Sequence, residues 1–330
     1  MKKIALSLSP LLVASLLVAC NTDDNQDAGE ENNDQPQEES EDNGETNTND
    51  EDEEVASGEG NGGFLWKVEH GDTEMYLQGT VHLGNDDFYP LDPMIEEAFE
   101  SADVVLPEFN LLDFDISQEE MLEYAMFNDD TTLDEVLSEE TYEELASILE
   151  PQGISIEMMN EFQPWYMETL LLELATAESN VDSQQAVDLY FLERAVEDGK
   201  EIVDLESAEQ QFDMLSNFSM ETQVQTLENA VQHFEESPAE LEALAQGWLD
   251  GDMDAIQAMT TDIEEAGVNE EYWIEMNDNR NIEMANKLDE ILQEDSGQTY
   301  FVFVGTAHVA IDPSIPTELE EKGYEVTQVY

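Results

Sequence analysis

Residues 74–82, Glu74-Met75-Tyr76-Leu77-Gln78-Gly79-Thr80-Val81-His82, are echoed near the other end of the chain by Tyr300-Phe301-Val302-Phe303-Val304-Gly305-Thr306-Ala307-His308. Each is an apolar run, rich in aromatic and aliphatic residues, that closes on Gly-Thr-x-His. That is the pattern of a buried strand delivering a histidine to its carboxyl end. After the first copy a helix pattern opens near Pro93 and a strand pattern covers Val104 to Phe109. After the second, a helix opens near Pro313 and a strand covers Glu325 to Val329. Both read as β-α-β units, which require parallel strands joined by a crossover. If the two units share one sheet, both GTxH turns reach the edge at which open α/β sheets place their ligands.

Working outward, further strand patterns cover Phe64 to Glu69 and Glu201 to Leu205. Apolar residues at helical spacing, with acidic outer faces, mark Pro93 to Ser101, Ser138 to Leu149, Pro164 to Glu178, Gln184 to Glu197, Met220 to Phe234, Pro238 to Leu249 and Glu270 to Leu292. The expected fold class is α/β. A central mixed, partly parallel sheet is built from the two GTxH-bearing units at the ends of a domain over 64–330, with a large helical insertion at about 111–198 and 207–293.

The chain has only four histidines, so two of them in matching motifs stand out. A glycine three residues before the histidine lets the backbone turn tightly and aim the imidazole into the cleft above the sheet. Glu108 ends the apolar strand Val104-Val105-Leu106-Pro107-Glu108, where burial of a carboxylate demands a partner. His82, His308 and Glu108 together suit an open site for Zn, Mn, Co or Fe. Spacing alone equally allows one histidine to act as a metal-free general base oriented by the glutamate, or two hydrogen-bonded histidines that only close strand ends. Arg280, in Asn277-Asp278-Asn279-Arg280-Asn281, could face a substrate carboxylate or a developing oxyanion, or simply pair with one of the many acids. Glu206 ends Ile202-Val203-Asp204-Leu205 and is a weaker candidate for substrate binding. Arg194 reads as a surface ion pair, and His70 and His233 carry no assigned role.

These segments together resemble the TraB/GumN family, which also includes PrgY and the animal TIKI proteases. The resemblance is carried by Leu65-Trp66-Lys67-Val68, Tyr76 to Gly84, Tyr89-Pro90-Leu91, Ala102 to Glu108, Asp204-Leu205-Glu206-Ser207 with Gln210, Asn279-Arg280-Asn281 and Gly305 to His308. It implies a fold akin to erythromycin esterase and ChaN-like proteins, with paired GxxH motifs and a glutamate at the active centre. By similarity His82, Glu108 and His308 take the core roles, Glu108 as third ligand or base, and Arg280 a supporting one. The animal members are membrane-associated metalloproteases that use Mn or Co, so the resemblance implies a metal-dependent hydrolase acting on peptides. PrgY implies the alternative of peptide or pheromone sequestration without turnover. The chain departs from the family pattern at Asn85, where Ser is common, and at Val309-Ala310-Ile311, where a glycine-containing loop is expected.

The beginning of the chain concerns placement. Lys2-Lys3, an apolar run from Ile4 to Ala19, and Leu17-Val18-Ala19-Cys20 follow the order of a secretory signal and resemble a bacterial lipobox. The run is short for a membrane span and contains Pro10. The expectation is a signal peptide over 1–19, lipid on Cys20, and an extracytoplasmic protein held to the membrane by that lipid. Cys20 is the single cysteine, which rules out an internal disulfide. Residues 20–63 read as a flexible acidic tether: Asn21 to Gly63 hold 17 Asp or Glu and no Lys or Arg, with too little apolar surface to offset chain entropy.

Residues 64–330 hold 66 Asp and Glu against six Lys and Arg, a net charge of −60. Such a field repels phosphate backbones, so nucleic acid is excluded as a partner, leaving the membrane and a peptide or small-molecule substrate. Self-repulsion on this scale also suggests a salt-loving source. Screening should therefore stabilise the fold, and the melting midpoint is expected to rise as sodium chloride increases into the molar range. Thermal melts that stay flat or fall with salt would contradict this.

Overall fold

The computed structural model describes residues 62–113, 116–260 and 270–330. The signal peptide, Cys20 and all but the last two residues of the expected tether lie outside the described residues. Phe64–His70 (β1) and Thr73–Thr80 (β2) form an antiparallel hairpin. Val104–Pro107 (β3), Glu201–Ile202 (β4), Thr299–Gly305 (β5) and Val326–Gln328 (β6) join them in one six-stranded sheet ordered β4-β3-β5-β2-β1-β6. β5 pairs in parallel with β2 on one side and β3 on the other, β4 is parallel to β3, and β6 is antiparallel to β1. The sheet is thus mixed and partly parallel, as expected.

The expected pairing within each unit needs correction. β2 and β3 run the same way but β5 lies between them, and β5 and β6 are separated by β2 and β1. The reason is burial. β5 is buried along its whole length after Thr299, so it takes the centre, where parallel strands are covered on both faces. β6 exposes Thr327 and Gln328 and takes an edge. As a result the two GTxH strands are direct neighbours, with Gly79 opposite Val304 and Thr80 opposite Gly305.

Three strands are shorter than their sequence patterns, β6 by one residue at each end. β3 stops at Pro107, which has no N–H for the ladder, and leaves Glu108 and Phe109 beyond its end. β4 covers only two residues, yet Val203, Leu205 and Glu206 continue along β3 by donating to the carbonyls of Val105, Pro107 and Glu108. Those bonds carry Glu206 alongside Glu108.

The seven periodic runs all contain helices, but the last is divided into Glu270–Trp273, a π-helical turn Ile274–Asn279, and Arg280–Glu294. Helices Gln118–Ala125 and Ala208–Asn217 lie outside those runs. Each opens with a capping box, Ser117 with Glu120 and Ser207 with Gln210, which marks a helix start independently of periodicity. No helix among the described residues is long and apolar enough to cross a membrane.

The main core wraps the sheet, with Phe191 and Phe301 in ring contact with each other and with both Phe99 and Phe303. A smaller cluster fills the helical insertion around Leu145, Leu149, Met167, Leu171 and Leu227. Trp248, in helix Ser237–Leu249, ties the insertion to the first motif. Its ring stacks on Phe88 at 5.6 Å, and its Nε1–H donates to the Gly79 carbonyl at 3.0 Å. Its own carbonyl accepts the Gly63 N–H, so Gly62 and Gly63 are buried against the domain just ahead of Phe64. Trp248→Ala would leave a cavity and remove one of the two side-chain donors to the Gly79 carbonyl, the other being Gln78 Nε2 at 2.7 Å. A loss of about 3–5 kcal/mol is expected in urea unfolding, with Trp248→Phe milder. A change below about 1 kcal/mol for the alanine variant would show that this contact does not hold the strand end.

Candidate functional site

Beyond the carboxyl ends of β2, β3 and β5, the chain brings together His82, Glu108, Arg280 and His308, each no more than 5% exposed. His82 follows β2, and its Nδ1 lies 2.7 Å from Asp188 Oδ2. The other Asp188 oxygen accepts the Thr80 hydroxyl at 2.5 Å. Because a carboxylate only accepts, Nδ1 carries a proton, and in the neutral ring Nε2 has the lone pair.

His308 sits on the short helix Thr306–Ala310, with Nδ1 2.5 Å from Asn281 Oδ1. The Asn281 amide nitrogen donates to the Pro313 carbonyl at 2.7 Å, which fixes the amide's orientation. His308 therefore also carries its proton on Nδ1 and presents Nε2. Sequence reasoning missed both Asp188 and Asn281 in these roles.

Glu108 is the hub. Oε1 accepts the Gly305 N–H at 2.7 Å and lies 3.6 Å from His308 Nε2. Oε2 accepts from Arg280 Nη2 at 2.7 Å and from Gln211 at 3.3 Å. Arg280 also holds Glu206, with Nε 2.9 Å from Oε1 and Nη2 2.6 Å from Oε2, and Gln211 bonds the same carboxylate at 3.0 Å. Glu206 thus lies behind the arginine and orients it. A small cavity of about 120 Å³ opens on the Arg280–Glu206 side, bounded by Glu206, Gln211, Glu275, Arg280 and Glu283 among others, and its lining does not include Glu108 or either histidine. Arg194 pairs with Glu96 at some distance along the chain from this set, His233 bonds the Asn229 carbonyl, and His70 packs edge-on to Tyr324.

The charges follow from these contacts. Burial favours the neutral form of Glu108, but Arg280, then His308 and His82, and the Gly305 N–H outweigh it and hold the carboxyl well below the usual range. Burial and the nearby Arg280 push His308 down to about 4, so its ring is neutral at pH 7. Burial also opposes the charge on His82, yet the Asp188 carboxylate outweighs it and raises the pKa. Arg280 stays charged because Glu206 and Glu108 overcome its burial.

The two motif glycines serve close approach rather than an unusual turn, since neither has a positive φ. A Cβ on Gly79 would lie 2.9 Å from both Thr306 Oγ1 and Val309 Cγ2, so its absence lets the second motif pack on the first. A Cβ on Gly305 would lie 3.4 Å from Glu108 Oε1, 3.4 Å from His82 Nε2 and 3.7 Å from His308 Cδ2. The space it leaves is bordered by all three candidate side chains.

Among the described residues no group of three or more His, Cys, Asp or Glu is arranged to hold a metal ion as it stands. The donor chemistry nonetheless fits one. Both imidazoles have Nδ1–H tied to an acceptor and Nε2 free, the outer-sphere pattern of metal-binding histidines. The 3.6 Å separation of His308 Nε2 and Glu108 Oε1 is close to the edge of about 3.4 Å in a tetrahedron of ligands around zinc. What separates the set from a ready-made site is Glu108, which spends Oε1 on Gly305 and Oε2 on Arg280 and Gln211.

The family model described as the TraB/PrgY/gumN family matches residues 64–328. The chain belongs to this family. An uncharacterized protein of Treponema pallidum (strain Nichols) is 25% identical over 208 residues, 61% of each chain. The uncharacterized protein YbaP of Escherichia coli (strain K12) is 23% identical over 179 residues, 54% of this chain and 65% of that one. The chain thus spans a little over three fifths of the length of these curated relatives. No solved structure matches it.

The two departures from the TraB pattern are local. Asn85 caps a short helix by accepting the Asp87 N–H at 3.0 Å. Val309 is buried against Gly79. The convergence at Gly305 has a direct test. A methyl group there meets only ordinary contacts and needs no strained backbone, so Gly305→Ala should keep the melting midpoint within a few degrees. It should also abolish whatever binding or turnover the site supports. Retained function with an alanine in that space would show that the site does not converge at Gly305.

Proposed function

We propose that this TraB-family protein is a lipid-anchored, extracytoplasmic hydrolase that cleaves peptides with a divalent metal, Mn, Co or Zn, held by His82, His308 and Glu108. The observation that carries the reading is that His82 Nε2, Glu108 Oε1 and the His308 ring border the space left by Gly305, with His308 Nε2 3.6 Å from the same Glu108 oxygen. A bound divalent ion would supply a Lewis acid and make water a stronger nucleophile.

The chain's own residues supply the rest. Arg280 and Gln211 fix the Glu108 carboxylate, and Glu206 fixes Arg280. Asp188 and Asn281 hold the ring protons on Nδ1 so that both histidines offer the same nitrogen. Burial keeps bulk water from the donors. The order Lys2-Lys3, apolar run, Leu17-Val18-Ala19-Cys20 supports lipidation of Cys20, and the acidic stretch that follows supports a solvated tether.

A second reading, metal-free hydrolysis, is favoured by the contact between His82 and Asp188, which makes Nε2 a better base. Protein purified without chelator should carry about one Mn, Co or Zn per chain by elemental analysis. It should cleave a mixed peptide pool, lose activity on chelation and recover it with Mn or Co. Chelator-resistant cleavage would support the metal-free reading instead, and peptide binding without cleavage would reduce the protein to a sequestering module.

A further inference from the structure

The two motifs look alike in sequence, yet what stands behind each imidazole differs. Behind His82 is a buried carboxylate: Asp188 Oδ2 lies 2.7 Å from Nδ1, and Oδ1 is held by the Thr80 hydroxyl at 2.5 Å. Behind His308 is a neutral amide, Asn281, whose other end is committed to the Pro313 carbonyl. The motif threonines divide in the same way. Thr80 secures Asp188, whereas Thr306 donates to the Thr80 carbonyl at 2.8 Å and holds no anion behind Nδ1 of the second histidine.

A carboxylate drawing on the Nδ1 proton raises electron density at Nε2, and an amide does so far more weakly. We infer that Asp188 is a positioning residue that sets the affinity of the site for a divalent cation through His82, whereas Asn281 fixes only the direction of His308. The first GTxH motif therefore works with a fourth residue beside Gly79, Thr80 and His82: Asp188, supplied by helix Val187–Asp198 more than a hundred positions along the chain. This inference rests on the metal-dependent reading above.

The test is competition between the full chain and a chromophoric chelator for Co²⁺ and Mn²⁺. Asp188→Asn keeps the shape and an acceptor for the His82 N–H, and the Thr80 hydroxyl can turn to accept from the new amide. Metal affinity is expected to fall about 10- to 100-fold, while the melting midpoint of the metal-free protein moves by only a few degrees. Equal affinity in the variant and the parent overturns the inference and leaves the metal-dependent reading standing. A parent that binds neither ion overturns both. If the variant does not fold, the parent labelled with ¹⁵N-histidine carries the test. The Nδ1 proton of His82 should resonate downfield of that of His308, and the reverse order overturns the assignment.

Discussion

Glu108 and Arg280 meet at 2.7 Å with almost no access to water, and the site is organised around that contact. Two charges in such a place are costly to desolvate, and each is tolerable because the other, with Glu206, Gln211 and the Gly305 N–H, satisfies it. Removing one partner of such a pair costs about 3–5 kcal/mol, because the remaining charge is left uncompensated. The contact also joins separate parts of the chain: Glu108 follows β3, Glu206 follows β4, and Arg280 opens a long helix directly after a π-helical turn. Helix irregularities of that kind recur at functional sites, and here the turn precedes the two side chains, Arg280 and Asn281, that reach the centre.

The sheet supplies the other half of the arrangement. With β2 and β5 as parallel neighbours, two histidines emerge from adjacent strand ends, and small residues permit the approach. Gly79 lets the second motif pack on the first, while Gly305 leaves open a space bordered by His82 Nε2, Glu108 Oε1 and the His308 ring. A duplicated sequence pattern has thus become two unequal half-sites, one backed by a carboxylate and one by an amide. Unequal partners are how two groups of the same kind acquire different basicity in one site.

Much of this was legible in the sequence. β3 and β5 are continuous apolar runs, and an acid immediately after such a run, as at Glu108, has few explanations other than a partnered role. Arg280 stood out because cations are so scarce in this chain. The order of the sheet was not legible, since nothing local in Thr299–Gly305 says that it inserts between β2 and β3; total burial on both faces decides it. Asp188 was hidden for a similar reason. It is one acid among 83, in the first turn of an amphipathic helix, and only tertiary packing brings it to His82. Asn281 was quoted within the Arg280 motif, but its role depends on His308 and on the Pro313 carbonyl, both distant in sequence. The helices at Gln118–Ala125 and Ala208–Asn217 carried capping boxes that periodicity alone passed over.

The most direct test of the account is to place a metal in the crystal and locate it. Crystals soaked in cobalt or manganese and measured at the metal's absorption edge should show one anomalous peak beside Gly305. It should lie at ligating distance, about 2.0–2.2 Å, from both His82 Nε2 and His308 Nε2, with Glu108 moved to meet it. A peak elsewhere, or none while Glu108 keeps its bond to the Gly305 N–H, would contradict a metal centre built from the two GTxH motifs.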